Sequence, residues 1–447
     1  MKQVLIIGAG RSSIFLIQYL LQWAEQSKAQ IHVADMDISL AEKRIQQHPF
    51  GTAHKLNALN PDERTPLMKN MDLVVSMLPA HLHFDIVNHA IDLKIPVITP
   101  SYLSKEIDAL HQKAEKNGVL VLNELGVDPG IDHMSAMAFL DEKRSQGAEF
   151  KGFESFTGGL IAPESDNNPW NYKFTWNPRN VVIAGQGGAV KFIQEGKYKY
   201  IPYHKLFRRT EIIDIPDYGK YEGYANRDSL KYRETYGLEN IDTIYRGTLR
   251  KKGFCRAWDM FVQLGATDDS YVLEGSENMS YREFINSFLA YNLTDSVELK
   301  LKYYLNLRQD DDDLWEKLES LDIFSEEKKI GIANATPAMA LQKILEDAWS
   351  LEPDDKDMII MWHKFTYELK GRVFETTSSM VCIGENQQKT AMAKTVGLPL
   401  GIAARLILEG EFKLTGVGLP IHKEVYTPIL KELAELGIRF KEEEREL

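Results

Sequence analysis

The run Val4 to Gly8 is apolar and strand-forming, and it leads directly into GAGRSS at Gly8 to Ser13, after which an amphipathic helical pattern begins. A turn of this kind aims the backbone N–H groups of the helix start at an anion. Gly8 permits the sharp bend and Gly10 lets the chain approach a pyrophosphate. Ser13 stands where a third glycine is usual, and it is small enough to keep the helix close to the strand. Asp35 closes the next β-branched run, where an acidic side chain accepts hydrogen bonds from an adenosine ribose. A carboxylate there repels a 2′-phosphate, so NAD is the expected cofactor. Lys43 and Arg44, in the helix that follows, keep NADP open, the other reading being that they are surface charges.

A second group of reactive residues lies further on. Ser101 and Tyr102 follow the fifth predicted strand, and the turn GVDPG, Gly126 to Gly130, follows the sixth. Loops at the carboxyl ends of parallel strands border the cofactor crevice, which places Asp128 near a nicotinamide. Asp128 and Asp132 could equally cap the helix that starts near Ile131. His133, one turn into that helix, reads as a packed or surface histidine.

The elements that must position these residues are legible as patterns. Strands are expected at Val4–Gly8, Ile31–Asp35, Asp72–Leu78, Ile95–Thr99 and Val119–Leu122, with a weaker one at Ala53–Asn57. They alternate with helical faces such as Ile14, Ile17, Leu20 and Leu21. That alternation predicts an α/β architecture with a doubly wound parallel sheet over residues 1–125. Residues 126–275 and 355–390 read as a second α/β domain, with a hairpin at Met358–Leu369 and Arg372–Ile383. Residues 276–354 read as an inserted helical subdomain, and about 391–447 as a segment packing back on the first domain. The acidic run Asp310 to Asp313 reads as a solvated helix cap rather than a metal site.

Composition closes off other functions. The 447 residues carry 53 Lys plus Arg against 65 Asp plus Glu, a formal charge of −12, which argues against nucleic acid as a partner. The two cysteines, Cys255 and Cys382, are too few for a disulfide framework or a Cys-based zinc site, and they suit a cytoplasmic protein. No leader-like N-terminus and no apolar run of membrane-spanning length is expected, and no metal.

Five runs carry a family resemblance: GVDPGIDHMSAM from Gly126, GGLIAPE from Gly158, NPWNYKFTW from Asn168, YANRDS from Tyr224 and YRGTLRKKGF from Tyr245. Together with SMLPAHLH at Ser76, TPSYLS at Thr99 and GLPIHKEVYTPIL near the C-terminus, the chain resembles the saccharopine reductases. These are the glutamate-forming saccharopine dehydrogenases of lysine metabolism. The resemblance implies a Rossmann domain, a substrate domain whose sheet supports a homodimer, and a helical cap. It implies cofactor contacts at Gly8, Gly10, Arg11, Asp35, Leu78, Gly126, Val127 and Trp176. Substrate contacts are implied at Ser101, Tyr102, Asp128, Arg227, Thr248, Leu249 and Arg250. Saccharopine carries three carboxylates, which planar bidentate donors such as Arg227 and Arg250 suit, although either could be a structural ion pair. Thr157 stands where family members commonly have Cys, so no thiol at that position is an indispensable acid or base here.

The expected reaction is oxidation of the CH–NH bond of saccharopine, followed by imine hydrolysis to glutamate and 2-aminoadipate 6-semialdehyde, or the reverse. Asp128 and Tyr102 are the candidates for proton transfer. A carboxynorspermidine-type dehydrogenase and a non-catalytic nucleotide-binding scaffold are the alternatives. The first would need fewer carboxylate clamps, and the second does not account for intact substrate motifs.

Overall fold

Short β-branched runs that are apolar on both faces must be covered on both, and in the first part of the chain they assemble into one parallel sheet. A computed structural model describes residues 1–447 except Arg227, Gln309 and Asp310. The chain forms two units. The first comprises Met1–Glu149, Leu369–Arg372 and Met380–Lys441, and the second Phe150–Glu368, Val373–Ser379 and Glu442–Leu447.

In the first unit β1 (Gln3–Ile7), β2 (Gln30–Asp35), β3 (Gly51–Lys55), β4 (Leu73–Ser76), β5 (Val97–Ile98) and β6 (Leu120–Leu122) stand in the order 6-5-4-1-2-3. The strand Gly416–Gly418 adds to β6. All these pairs are parallel. Val4, Ile6, Val33, Val75 and Val121 are wholly buried. β5 is shorter than expected because Pro96 and Pro100 flank it, and neither has an N–H to give the ladder.

The helix Ile14–Ser27 turns Leu16, Ile17, Leu20 and Ala24 into the core, and the helix Ala391–Glu409 lies against its other side. Two glycines make that approach possible. A Cβ at Gly397 would stand 2.7 Å from the Leu16 nitrogen, and one at Gly401 2.7 Å from the Tyr19 ring. Arg405 then bonds both the Tyr19 hydroxyl, at 2.9 Å, and Glu432, at 2.6 Å. At 19 residues Ala391–Glu409 is long and apolar enough to cross a membrane, which corrects the expectation that no run reaches that size. Most of it is buried, as a core helix is. The first unit runs past residue 125 because the helix Ile131–Ser145 packs on Lys423–Glu435, where the Tyr426 hydroxyl donates to Asp141 at 2.7 Å.

The second unit is built on a mixed sheet of β7 (Glu149–Ile161), β8 (Val190–Gln194), β9 (Lys197–Ile201), β10 (Thr210–Ile215), β11 (Gly219–Ala225), β12 (Thr243–Lys251), β13 (Asp357–Leu369) and β14 (Arg372–Ile383). Its order is 10-11-12-7-13-14 and then Phe440–Glu446, with β8 pairing β12 and β9. β7 and β12 are parallel, while β10, β11 and β12 are antiparallel. The expected hairpin is present, and Lys370 and Gly371 at its tip both have positive φ, 54° and 74°, as a tight two-residue turn requires.

Trp170, Tyr172 and Phe174 pack against Phe254 of Phe254–Leu264 and Trp349 of Pro337–Trp349, forming an aromatic core. The segment 276–354 supplies the helices Tyr281–Ser287, Val297–Tyr304, Asp312–Glu319 and Pro337–Trp349. Within the acidic run, Asp312 and Asp313 are an exposed first turn. Asp311 departs from the solvated reading: it is buried and paired with Arg256 at 2.5 Å, while Asp310 lies outside the described residues. No metal-binding cluster occurs among the described residues.

Candidate active site

The sheet order reverses between β1 and β4, and a crevice for a ligand opens at the carboxyl ends of strands there. Gly8 bends the chain at φ +108°, and a Cβ on it would stand 2.9 Å from the Met77 carbonyl oxygen beyond β4. Gly10 has the opposite environment: nothing lies within 4 Å of an added Cβ, so the space before it is open to a phosphate. Ser13 is buried, and its hydroxyl donates to the Gly10 carbonyl at 2.9 Å, bracing the turn. Arg11 is exposed, and Leu78 packs on the core beneath the sheet edge. These residues fit a dinucleotide.

Asp35 does not stand free at its strand end. One oxygen accepts from the Ala9 N–H at 2.8 Å and the other from the Asp37 N–H at 3.0 Å. Arg44 is not a plain surface charge either. Its guanidinium donates to the carbonyls of Ala9 and Gly10, at 3.3 and 3.2 Å, which sets a cation beside the fingerprint loop.

Beyond β5 and β6, the Tyr102 hydroxyl donates to Asp128 at 2.9 Å. Gly126 N–H donates to the Pro129 carbonyl at 2.8 Å across a cis Asp128–Pro129 bond. Gly130 has φ +147°, and a Cβ there would meet the Gly126 oxygen at 2.1 Å. The Val127 carbonyl accepts from Asp132 N–H at 3.1 Å. Asp132 takes an amide at the helix start, from Gly130 at 2.6 Å.

Two residues here were not singled out by sequence reasoning. Glu124 accepts from the Leu103 N–H at 2.8 Å and lies 2.6 Å from the buried His133, which is therefore a paired residue. His83, 1% exposed, sits 2.8 Å from the Ser76 hydroxyl through Nδ1 and 2.7 Å from the Ser101 hydroxyl through Nε2. Burial, reinforced by His81, lowers its pKa to about 4, so the ring is neutral near pH 7. The available signal was its place in SMLPAHLH, at the start of the helix after β4.

In the second unit Thr248 pairs with Thr157 of β7 and Tyr224 of β11, so Thr157, Thr248, Tyr224 and Arg250 share one face of the sheet. Asn226 donates to the Thr248 hydroxyl at 3.1 Å, and the buried Thr157 hydroxyl has no partner. Leu249 points to the other face and is wholly buried. Arg250 is 4% exposed, with its guanidinium 5.1, 5.4 and 6.0 Å from the rings of Tyr172, Phe254 and Tyr224. It donates to the Leu249 carbonyl at 2.8 Å, its Nε is unpartnered, and no carboxylate among the described residues pairs with it. The structural ion pair left open for Arg250 is thus not formed. Trp176 is half-buried in the same unit, and Arg227 lies outside the described residues.

Residues 4–122 match the family model of the saccharopine dehydrogenase NADP binding domain, and residues 126–438 that of the saccharopine dehydrogenase C-terminal domain. The chain belongs to the saccharopine dehydrogenase family. It is 32% identical to the saccharopine dehydrogenase [NADP(+), L-glutamate-forming] of Saccharomyces cerevisiae, over 99% of both chains. The alpha-aminoadipic semialdehyde synthase of Rattus norvegicus is also 32% identical, over 98% of this chain but 47% of its own length. The chain thus spans about half the length of the mammalian relatives it matches. The apo saccharopine dehydrogenase (L-Glu forming) structure from S. cerevisiae superposes with a TM-score of 0.90 at 30% identity, covering 100% of both chains.

The family corrects the expected cofactor. An NADP binding domain, and fungal relatives named for NADP(+), overturn the preference for NAD drawn from Asp35. The physical reason is local. Both oxygens of Asp35 are engaged by backbone amides, and the guanidinium of Arg44 lies on the same loop.

Proposed function

We propose that this chain oxidises saccharopine at its CH–NH bond with NADP, giving L-glutamate and 2-aminoadipate 6-semialdehyde, or runs the reverse condensation. The observation that carries the substrate class is Arg250: among the described residues no carboxylate forms an ion pair with it, and a guanidinium buried in that way is costly unless a ligand supplies the anion. Family membership and full-length similarity to the fungal enzymes support the same reading.

NADP, when bound, accepts the hydride that leaves the carbon next to nitrogen. Gly8, Gly10, Arg11, Leu78, Gly126, Val127 and Trp176 are its proposed contacts, with the open side of Gly10 receiving the pyrophosphate. In the second unit Arg250, Arg227 and Thr248 are the proposed substrate contacts, Leu249 being excluded by its burial on the other face of the sheet, and in the first unit Ser101 is. Asp128 takes the proton from the secondary amine, which must be neutral before hydride leaves, and Tyr102 orients that carboxylate through its hydroxyl. Water then adds to the imine carbon, and cleavage of the C–N bond releases the amino group of glutamate.

We read the protein as a cytoplasmic homodimer, the two buried free cysteines suiting a reducing compartment. Light scattering decides the oligomer. Purified protein incubated with saccharopine and NADP should give NADPH, glutamate and the semialdehyde in equal amounts. Turnover of carboxynorspermidine but not saccharopine would overturn the substrate, and no turnover of either would leave a nucleotide-binding scaffold.

A further inference from the structure

We infer that Ser76 and His83 form a relay that fixes the Ser101 hydroxyl as a hydrogen-bond donor toward a substrate carboxylate, making His83 a positioning residue. The inference rests on the reading that Ser101 touches substrate.

The three residues come from separate places: Ser76 ends β4, His83 opens the helix His83–Asp92, and Ser101 follows β5. Ser76 is wholly buried, and among the described residues the side-chain partner of its hydroxyl is Nδ1 of His83, at 2.8 Å. A buried hydroxyl proton goes to an available acceptor, and the neutral imidazole offers one nitrogen as acceptor and one as donor. Donation from Ser76 to Nδ1 leaves the ring proton on Nε2. Nε2 faces the Ser101 oxygen at 2.7 Å, with the Thr99 hydroxyl farther off at 3.2 Å. The oxygen of Ser101 is thereby occupied as an acceptor, and its own proton is left to donate.

A hydroxyl locked in this sense suits an anion. A free serine rotor would serve an ammonium and a carboxylate equally well, whereas an obligate donor favours the carboxylate and disfavours the ammonium. Second partners that set the tautomer of an imidazole and the direction of its bonds are a general means of orienting a contact group.

Four variants of the full chain test the relay: Ser101→Ala, Ser76→Ala, His83→Gln and His83→Leu, each with kcat and with KM for saccharopine and for NADP. Loss of one hydrogen bond to a charged group predicts a rise of roughly 10-fold or more in saccharopine KM for Ser101→Ala and His83→Leu. Ser76→Ala frees the tautomer and should raise that KM by roughly 3- to 10-fold, with KM for NADP within about twofold. His83→Gln keeps an amide N–H near the Nε2 position and should restore most of the affinity. Ser76→Ala placed on Ser101→Ala should add nothing. If Ser101→Ala alone raises KM and Ser76→Ala does not, the relay is wrong and the contact stands. If Ser101→Ala leaves KM unchanged, the contact itself is wrong and the relay falls with it. Should His83→Leu fail to fold, Ser76→Ala, which removes one oxygen, decides.

Discussion

Replacing Arg250 by Met separates a ligand-binding guanidinium from a structural one. The wild-type side chain is 4% exposed, donates once to the Leu249 carbonyl, and has no carboxylate partner among the described residues. Its stabilisation comes from ring contacts at 5.1 to 6.0 Å, each worth about 0.5–2 kcal/mol. Against that stands the desolvation of an unpaired cation, about several kcal/mol. The two oppose each other, so Arg250→Met, similar in length and apolar, should leave Tm within about 5 °C or raise it. Substrate binding should respond quite differently. A charge-assisted bond to a carboxylate is worth about 1.5–3 kcal/mol, so saccharopine KM should rise roughly 10- to 150-fold while KM for NADP stays within about twofold. Steady-state rates followed by NADPH absorbance, together with a thermal melt, give both quantities from one preparation. A large fall in Tm with unchanged saccharopine KM would refute the reasoning.

The remaining expectations concern other groups. Asp35→Ala removes two backbone hydrogen bonds to a carboxylate, so it should destabilise the chain by about 2 kcal/mol and raise KM for NADP; tighter NADP binding would count against the structural role given to Asp35. Asp128→Asn keeps the shape beside Tyr102 but loses the base, so kcat should fall about 10²-fold and the acidic limb of the pH profile should vanish; an unchanged kcat would eliminate Asp128. His83 titrates at about 4 in the folded chain against 6.5 for the free group, so the unfolded state takes up the proton first as pH falls. Stability that is full above pH 6.5 is then lost down to about pH 4, by about 2 kcal/mol between pH 7 and 5, and urea unfolding of His83→Gln should show a smaller loss over that window.

The parallel sheet was legible because its strands are apolar on both faces and the intervening helices keep a 3.6-residue period, both of which are local properties of the chain. The hairpin at Lys370 and Gly371 was legible because two alternating runs flank a two-residue turn. What local pattern could not supply was the use to which a polar group is put. Asp35 was correctly placed at a strand end. Whether its oxygens would meet a ribose or the N–H of Ala9 depends on where a loop 26 residues earlier in the chain comes to lie. His83 lies in the run SMLPAHLH, yet its meaning arises only when Ser76, at the end of β4, and Ser101, in the loop after β5, converge on it. Asp311 looked like one of four equivalent surface acids until the fold brought Arg256 to it.

A general distinction separates the acids from Arg250. Asp35, Glu124 and Asp132 each give at least one oxygen to a backbone N–H, at 2.8, 2.8 and 2.6 Å, so part of their hydrogen-bonding capacity is spent on holding loops. Sequence alone assigns such residues to ligands readily, because an acid beside a glycine turn looks the same in either role. Arg250 shows the converse. No described carboxylate forms an ion pair with it: Glu222 stands opposite it on β11, but its oxygens accept from the N–H groups of Gly253 and Cys255, and the other neighbours are aromatic rings and the unpartnered hydroxyl of Thr157 on the same face. On the proposed reading, the ring contacts offset part of its desolvation and a substrate carboxylate supplies the missing anion. The arginine on β12, rather than the acid at the end of β2, is therefore the residue on which the proposed substrate class rests.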